Sequence, residues 1–151
     1  MTLTEAEQRF LATQSHGRLA TVAPDGTPQV KPVGFSYNEP LGTIDISGFN
    51  MAGSAKYRNV QQNPRVAFVA DDQPAPADGA AGVRFLEIRG TAETVTVAPG
   101  PGQPAADGHL APEIIRIHPR RVLAYNVDPA RPGLQTRDLG GDAVHRARWP
   151  Q

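Results

Sequence analysis

The chain of 151 residues contains no cysteine, which excludes disulfide bonds, thiolate metal sites and cysteine nucleophiles. Its basic and acidic side chains are equal in number, 15 of each, so no excess of positive charge marks it for nucleic acid or for a membrane surface. No hydrophobic run approaches the ~18 residues of a membrane-spanning helix. The first residues lack the basic and apolar regions of a signal peptide. The composition therefore predicts a cytoplasmic protein without nucleic-acid or membrane partners.

Lysine is also scarce, because Lys31 and Lys56 are the only two in the sequence. Lys56 lies in a segment in which Gly53 and Ser54 can begin a helix. The first backbone N–H groups of a helix have no internal partner and attract anions, and a hydroxyl, an ammonium and the Arg58 guanidinium fall within one turn of this start. The ordinary alternative is a Ser-capped helix with solvated cations, and these residues alone leave both interpretations open.

The first half of the sequence predicts one helix followed by short strands. Thr4 and Glu7 have the capping-box spacing, which predicts a short helix ending near residues 15–17. Two β-prone runs around a Pro-Asp-Gly turn predict a hairpin over residues 18–37. Pro32 in its second run indicates a strand edge or a bulge. The alternating pattern of residues 42–48 predicts a third strand.

The second half continues the pattern of strands. A short helix after residue 53 leads into a strand over residues 66–70, and a long strand is expected over 83–97, with a bend or bulge at Gly90. Pro119 is expected to separate two further strands, 113–118 and 120–126. The intervening loops, 71–82 and 98–112, are rich in Pro, Ala and Gly and have no readable chemistry.

About seven short strands and two short helices, without alternation of strands and long helices, argue against a doubly wound α/β fold. The pattern predicts a mainly β protein, a small antiparallel barrel with peripheral helices. We expect a single domain over residues 1–151, with a core at about 17–126 and a polar C-terminal tail at 127–151.

Several separated blocks of sequence together resemble the flavin-binding split barrels of the pyridoxamine 5'-phosphate oxidase-like superfamily. In chain order these blocks are residues 17–35, 54–56, 63–68, 85–93 and 115–122. The sequences of residues 48–60 and 85–90 are most similar to those of actinobacterial members that use coenzyme F420, a 5-deazaflavin. One branch of these members contains the reductases that perform the last reduction in tetracycline-type polyketide biosynthesis.

The resemblance implies a six- or seven-stranded antiparallel split barrel that forms a homodimer and binds F420 at the dimer interface. It implies an oxidoreductase that transfers hydride from reduced F420 to an unsaturated organic substrate, such as a tetracycline-like polyketide intermediate. An FMN-dependent oxidase or reductase and a non-catalytic flavin or deazaflavin carrier are the alternatives. Ala55 stands where pyridoxamine phosphate oxidases carry Arg, which weakens FMN binding and vitamin chemistry.

The resemblance also assigns residues to the coenzyme. Its phosphate is expected at Ser54 and Lys56, with Arg58 as a further candidate, and the second subunit is expected to complete the site with Tyr125 and Asn126. A deazaflavin passes hydride from its own ring, so no catalytic side chain is assigned. The four histidines are too far apart in sequence to predict a metal site. The implied cofactor-binding residues are Lys31, Pro32, Val33, Ile46, Ser47, Gly48, Met51, Ser54, Lys56, Tyr57, Arg58, Tyr125 and Asn126.

Overall fold

The computed structural model describes residues 3–74, 82–97 and 111–139. Most of the predicted 71–82 and 98–112 loops, and the tail beyond residue 139, lie outside these residues. The elements in chain order are α1 (Glu5–Ala12), β1 (Gly17–Val22), β2 (Pro28–Asn38), β3 (Thr43–Ser47), a 3₁₀ turn (Met51–Gly53), α2 (Ala55–Gln62), β4 (Arg65–Asp72), β5 (Arg84–Thr96), β6 (Glu113–Tyr125) and β7 (Leu134–Asp138).

The strands form one antiparallel sheet in the order β3-β2-β1-β4-β5-β6-β7, and a further pairing of β3 with β6 closes the first six into a barrel. β3 and β7 pair with different halves of β6, at residues 115–117 and 121–125. The barrel therefore splits between β3 and β7. The prediction of a mainly β antiparallel barrel with two short helices is confirmed.

The core lies inside the barrel because alternate residues of each strand point inward. At the end where β4 finishes and β5 begins, Phe10 and Leu11 of α1 join this core, and Val60 of α2 joins it near the opposite end. The helices in the described parts of the chain are too short and too polar to cross a membrane. The fully buried strand side chains include Leu19, Ile44, Ile46, Phe68, Leu86, Ile88, Ile115, Ile117 and Val122.

β6 is one continuous strand, so the prediction of two strands separated at Pro119 is wrong. The register with β5 shifts between Arg89 and Gly90, which leaves Arg120 as the extra residue of a bulge. Pro119 lies opposite Gly90 at this irregularity, where its missing N–H disturbs the ladder least. A Cβ on Gly90 would lie 2.2 Å from the carbonyl oxygen of His118, so only glycine fits and the predicted bend there is confirmed.

The first part of the C-terminal segment adds a strand that the sequence analysis did not assign. β7 pairs with β6 over residues 134–138, and Val127 and Leu139 on either side of it are buried. Arg137 of β7 forms a bidentate ion pair with buried Glu7, with Nη2 to Oε2 at 2.6 Å. This pair ties α1 to the last strand. The capping box of Thr4 and Glu7 is present, as predicted.

Candidate functional site

The start of α2 is a closely fitted turn. Ser54 is the N-cap, and its hydroxyl accepts a hydrogen bond from the Tyr57 N–H at 3.3 Å. The same hydroxyl donates to the Met51 carbonyl at 2.6 Å, so its single proton is already used. The Asn50 side-chain amide packs over Gly53, because a Cβ there would lie 2.6 Å from it. The cap predicted at Ser54 is confirmed; its contact with a phosphate stays a prediction.

α2 is docked on the β1–β2 hairpin by one buried amide. Asn59, only 5% exposed, donates to Gln29 Oε1 at 2.7 Å and to Thr21 Oγ1 at 3.0 Å. A buried amide with both partners specifies one position of the helix over the hairpin. This contact was not predicted from the sequence, although an Asn inside a helix, where its propensity is poor, is a signal for it.

This docking brings the two lysines of the chain together. Lys56 precedes Asn59 by three residues on the same face of α2, and Lys31 follows Gln29 by two residues on the same face of β2. Burial, and then the nearby charge of Lys31, lower the pKa of the half-buried Lys56 ammonium below 10.5. Neither lysine has a hydrogen bond or a carboxylate partner among the residues that the structure describes. Within the described part of the chain, the two lysines therefore form a positively charged site without a counter-ion.

Lys31 lies on a stretch of β2 that has a partner on one side only. Residues 28–33 pair with β1, and residues 34–38 pair with β3, so the outer edge of the first stretch carries no strand in the described chain. Pro28 and Pro32 fall two pleats apart, and both direct their nitrogen, which lacks a proton, to the same side. Their spacing fits the open edge, which confirms the edge predicted from Pro32.

The end of β3 borders this open edge. Ser47 lies opposite Gly34 of β2, and a Cβ on Gly34 would be in ordinary contact with the Ser47 hydroxyl at 3.7 Å. Small side chains therefore expose the backbone there. Three implied site residues lie below this surface instead, since the side chains of Val33, Ile46 and Met51 are buried in the core. They can support a ligand site but do not face one.

Arg58 does not lie beside Lys56. Residues two apart on an α-helix point about 200° away from each other, and Arg58 instead donates from Nη1 to the Gly53 carbonyl at 2.8 Å, over the 3₁₀ turn. Tyr57 packs partly against the core. Of the cations predicted at this helix start, only Lys56 faces Lys31.

Tyr125 and Asn126 lie at the end of the barrel where α1 packs, away from α2. The Tyr125 ring stacks on Phe85 with centroids 5.5 Å apart. Asn126 has a positive φ of 53°, and its Oδ1 accepts a hydrogen bond from Gly133 N at 2.8 Å, which closes the β6–β7 connection. Within one chain these residues do not join the lysine pair, so a contact with the same ligand requires a second subunit.

Two buried polar atoms have no hydrogen-bond partner within the described structure, Tyr37 Oη and Arg120 Nε. Phe49 was not among the predicted site residues, and it is 70% exposed although it adjoins the end of β3. An aromatic residue between two turn residues, Gly48 and Asn50, was the signal for it.

The fold and this site define the class of protein. A sequence model described as pyridoxamine 5'-phosphate oxidase matches residues 3–128, which is most of the chain. The chain belongs to this family, as the sequence resemblance predicted.

Among characterised relatives, the chain is similar to the 5a,11a-dehydrotetracycline/5a,11a-dehydrooxytetracycline reductase of Streptomyces rimosus, with 41% identity over 92% of this chain and 94% of the relative. A solved F420 reductase is similar at 29% identity and a TM-score of 0.55, over 78% of this chain and 95% of that one. A conserved hypothetical protein from Mycobacterium tuberculosis shares the fold at 22% identity and a TM-score of 0.62, over 94% and 95%. Two reductases among these proteins support an oxidoreductase activity.

Proposed function

We propose that this protein is an F420-dependent reductase that acts as a homodimer and reduces an unsaturated, tetracycline-like polyketide intermediate. The observation that carries the proposal is the pair of lysines, beside an open strand edge, that have no counter-ion among the described residues. The 41% identical relative named as a reductase of dehydrotetracyclines, and the similar F420 reductase, support the activity and the coenzyme.

The residues present fit the phosphate of such a coenzyme. An anion placed between Lys56 and Lys31 would remove the repulsion between two ammonium groups and would supply the acceptors that both lack. A compact, rotatable ammonium group is well suited to a phosphate oxygen, as a point charge. The unpaired N–H groups at the start of α2 add to the positive potential there.

The rest of the proposed site is the strand edge next to the two lysines. We assign the ring to the open edge at Lys31, Pro32 and Val33, where the Pro32 carbonyl points away from β1, and to the backbone at Ser47 and Gly48. When bound, the deazaflavin supplies the hydride. The protein chain binds its phosphate and orients the ring by backbone contacts.

The outer surface of the barrel supports the homodimer. Val30, Tyr125 and Leu134 are all exposed apolar residues, at 63%, 37% and 54%. Tyr125 pairs with Leu134 and stacks on Phe85. The side chains of Phe85, Tyr125 and Leu134 therefore form an apolar row across β5, β6 and β7, which does not include Val30 of β2. A second copy of the chain would cover such a row. It would also bring Tyr125 and Asn126 toward the lysine pair of its partner.

Equilibrium binding tests the proposal. The purified protein is titrated with F420 and in parallel with FMN, and the fluorescence of each ring is followed. Lys56→Ala should weaken F420 binding by about 10- to 150-fold, since a lost charge-assisted hydrogen bond costs ~1.5–3 kcal/mol. Arg9→Ala is the matched control, because it removes one exposed cation from α1 at the other end of the barrel. The Arg9→Ala variant should bind F420 with the same affinity as the wild-type protein.

Three results would contradict the proposal. Equal F420 affinity in the Lys56 and Arg9 variants would remove the lysine from the site. Tighter binding of FMN than of F420 would assign the protein to the flavin-dependent alternative. Binding of reduced F420 without its oxidation by 5a,11a-dehydrotetracycline, or by a panel of enones and imines, would indicate a carrier.

A further inference from the structure

Lys56 is a half-buried amine to which no described side chain is paired. It lies on the face of α2 that carries Asn59, three residues further on, and the Asn59 amide is buried against the β1–β2 hairpin. Among the residues that the structure describes, no oxygen accepts a hydrogen bond from the Lys56 ammonium. Burial without an acceptor disfavours the charged form of an amine. Lys56 is therefore closer to its neutral, nucleophilic form than an ordinary surface lysine.

Lys31 places a second positive charge near this amine. Asn59 donates to Gln29 Oε1 at 2.7 Å, and Lys31 follows Gln29 by two residues on the same face of β2. Burial, and then the charge of Lys31, lower the pKa of Lys56. A neighbouring cation is one of the ways in which proteins activate a lysine as a nucleophile.

The two amines differ in their surroundings, which gives them different roles. Lys31 is exposed, on the stretch of β2 that has a strand partner on one side only, so an anion in solution can reach it. Lys56 is half-buried under the helix that Asn59 fixes in place. The exposed ammonium is suited to bind an anionic group, and the half-buried amine is suited to attack a carbon atom near that group.

We propose that Lys56 forms an imine with small aldehydes that carry a carboxylate or phosphate group, and that Lys31 binds this anionic group. The neutral Nζ of Lys56 attacks the carbonyl carbon, and its two protons leave with the carbonyl oxygen as one water molecule. A C=N bond replaces the C=O bond, and nothing is oxidised or reduced. The imine occupies the amine that the proposed function assigns to the coenzyme phosphate, so the modified protein should bind F420 more weakly. This consequence rests on the proposed function, whereas the condensation does not.

Reductive trapping tests the proposal on the full chain. The protein is incubated with 4-carboxybenzaldehyde and sodium cyanoborohydride, which reduces the imine to a stable amine, and the labelled positions are quantified by peptide mass spectrometry. Methyl 4-formylbenzoate is the uncharged counterpart. The sequence offers few targets, since Lys31 and Lys56 are its only lysines. The N-terminal amine serves as the internal reference for the reactivity of each aldehyde.

The expected result is selective labelling that depends on Lys31. The charged aldehyde should label Lys56 at least about fivefold faster than Lys31, and Lys56 should prefer it over the uncharged one by about fivefold. Lys31→Met should abolish this preference, and Lys31→Arg, which keeps the charge but forms no imine, should retain it. Because the preference compares two aldehydes at one amine, a change in the basicity of Lys56 cancels. Arg58→Gln is the matched control, because that guanidinium is held over the Gly53 carbonyl on the other side of α2.

Three results would overturn the proposal. The first is labelling of Lys31 as fast as that of Lys56, and the second is no preference of Lys56 for the charged aldehyde. The third is a preference that survives in Lys31→Met or is lost equally in Arg58→Gln. Excess F420 should protect Lys56, but not the N-terminal amine, from the label. If the labelling pattern holds without such protection, the imine site stands and the assignment of Lys56 to the coenzyme is wrong.

Discussion

Replacing Asp45 with Asn should destabilise the protein where β3 pairs with β6 and closes the barrel. β3 joins β6 through only three register pairs, of which Asp45 with Arg116 is the central one. Arg116 donates from Nε to Oδ1 at 3.0 Å and from Nη2 to Oδ2 at 2.9 Å, and Asn38 and Thr43 donate to the same carboxylate at 3.2 and 3.0 Å. Both side chains of the ion pair are only 14% exposed.

The magnitude follows from this geometry. Asn retains a carbonyl oxygen for one of the bonds from Arg116 but loses the charge, so a largely buried guanidinium loses its ion-pair partner and keeps only the weaker attraction of Glu93. Two charge-assisted hydrogen bonds contribute ~1.5–3 kcal/mol each, and breaking a fully buried pair costs ~3–5 kcal/mol. Since water reaches the edge of this pair, we expect Asp45→Asn to lower the free energy of unfolding by about 2–4 kcal/mol.

Urea unfolding followed by far-UV circular dichroism measures the change. Asp138→Asn is the matched control, because its Oδ1 accepts from Arg121 Nη1 at the same 2.9 Å but the side chains are 61% and 44% exposed. An exposed pair contributes ~0–1 kcal/mol, so the control should be nearly neutral. A loss below about 0.5 kcal/mol for Asp45→Asn, or equal losses in both variants, would refute the reasoning.

The same carboxylate gives the prediction a pH dependence. Burial alone would raise the pKa of Asp45, but the hydrogen bonds from Arg116, Asn38 and Thr43 outweigh it and hold this pKa below 3.8. The stabilisation is therefore present above the pKa of the unfolded chain and is lost as the pH falls through the lower folded pKa. The difference in stability between the unchanged protein and Asp45→Asn should shrink below about pH 4. A constant difference down to pH 2 would contradict this sign.

Three further outcomes are expected. Gly90→Ala should lower the free energy of unfolding in urea by about 2–4 kcal/mol, because its Cβ would meet the His118 backbone; a neutral variant would show that the bulge can relax. Ser54→Ala should cost about 1 kcal/mol in the same assay through loss of the helix cap, with Ser54→Thr as the control that keeps the hydroxyl. F420 affinity should decline as the pH rises toward 10.5, and the decline should begin below that value because burial, and then Lys31, lower the pKa of Lys56. Lys31→Met should move the decline to higher pH. Identical pH profiles for the variant and the wild-type protein would show that Lys31 does not act on Lys56.

Some of the site could be located from local sequence alone. The helix cap at Ser54 and the edge at Pro32 depend on the chemistry of single residues, a hydroxyl that can accept from a backbone N–H and an imide that cannot donate. Such rules need no knowledge of the rest of the fold. The ordered blocks then placed these residues in a known family, which the family match confirms.

Other parts depended on partners distant in the chain. Pro119 indicated a break, but Gly90 on the neighbouring strand provides the space that lets β6 continue past it. Spacing also grouped Arg58 with Lys56, whereas the turn at Gly53 draws the guanidinium to the other side of α2. β7 was not predicted because its alternating residues are polar, and it becomes a strand through pairing with β6 and the ion pair from Arg137.

The sequence by itself determined the strand-rich pattern, the capped helix starts and the two isolated lysines, because these follow from residue type and from spacing within one turn or one strand. Only the tertiary structure decided that Lys31 and Lys56 face each other. They are 25 positions apart, and what joins them is the buried Asn59 amide, whose hydrogen bonds to Thr21 and Gln29 set α2 across the hairpin. Barrel closure was likewise decided in three dimensions, since Asp45 and Arg116 meet across 71 residues. No local pattern records such a pairing, because its free energy comes from burial that exists only once the sheet has closed.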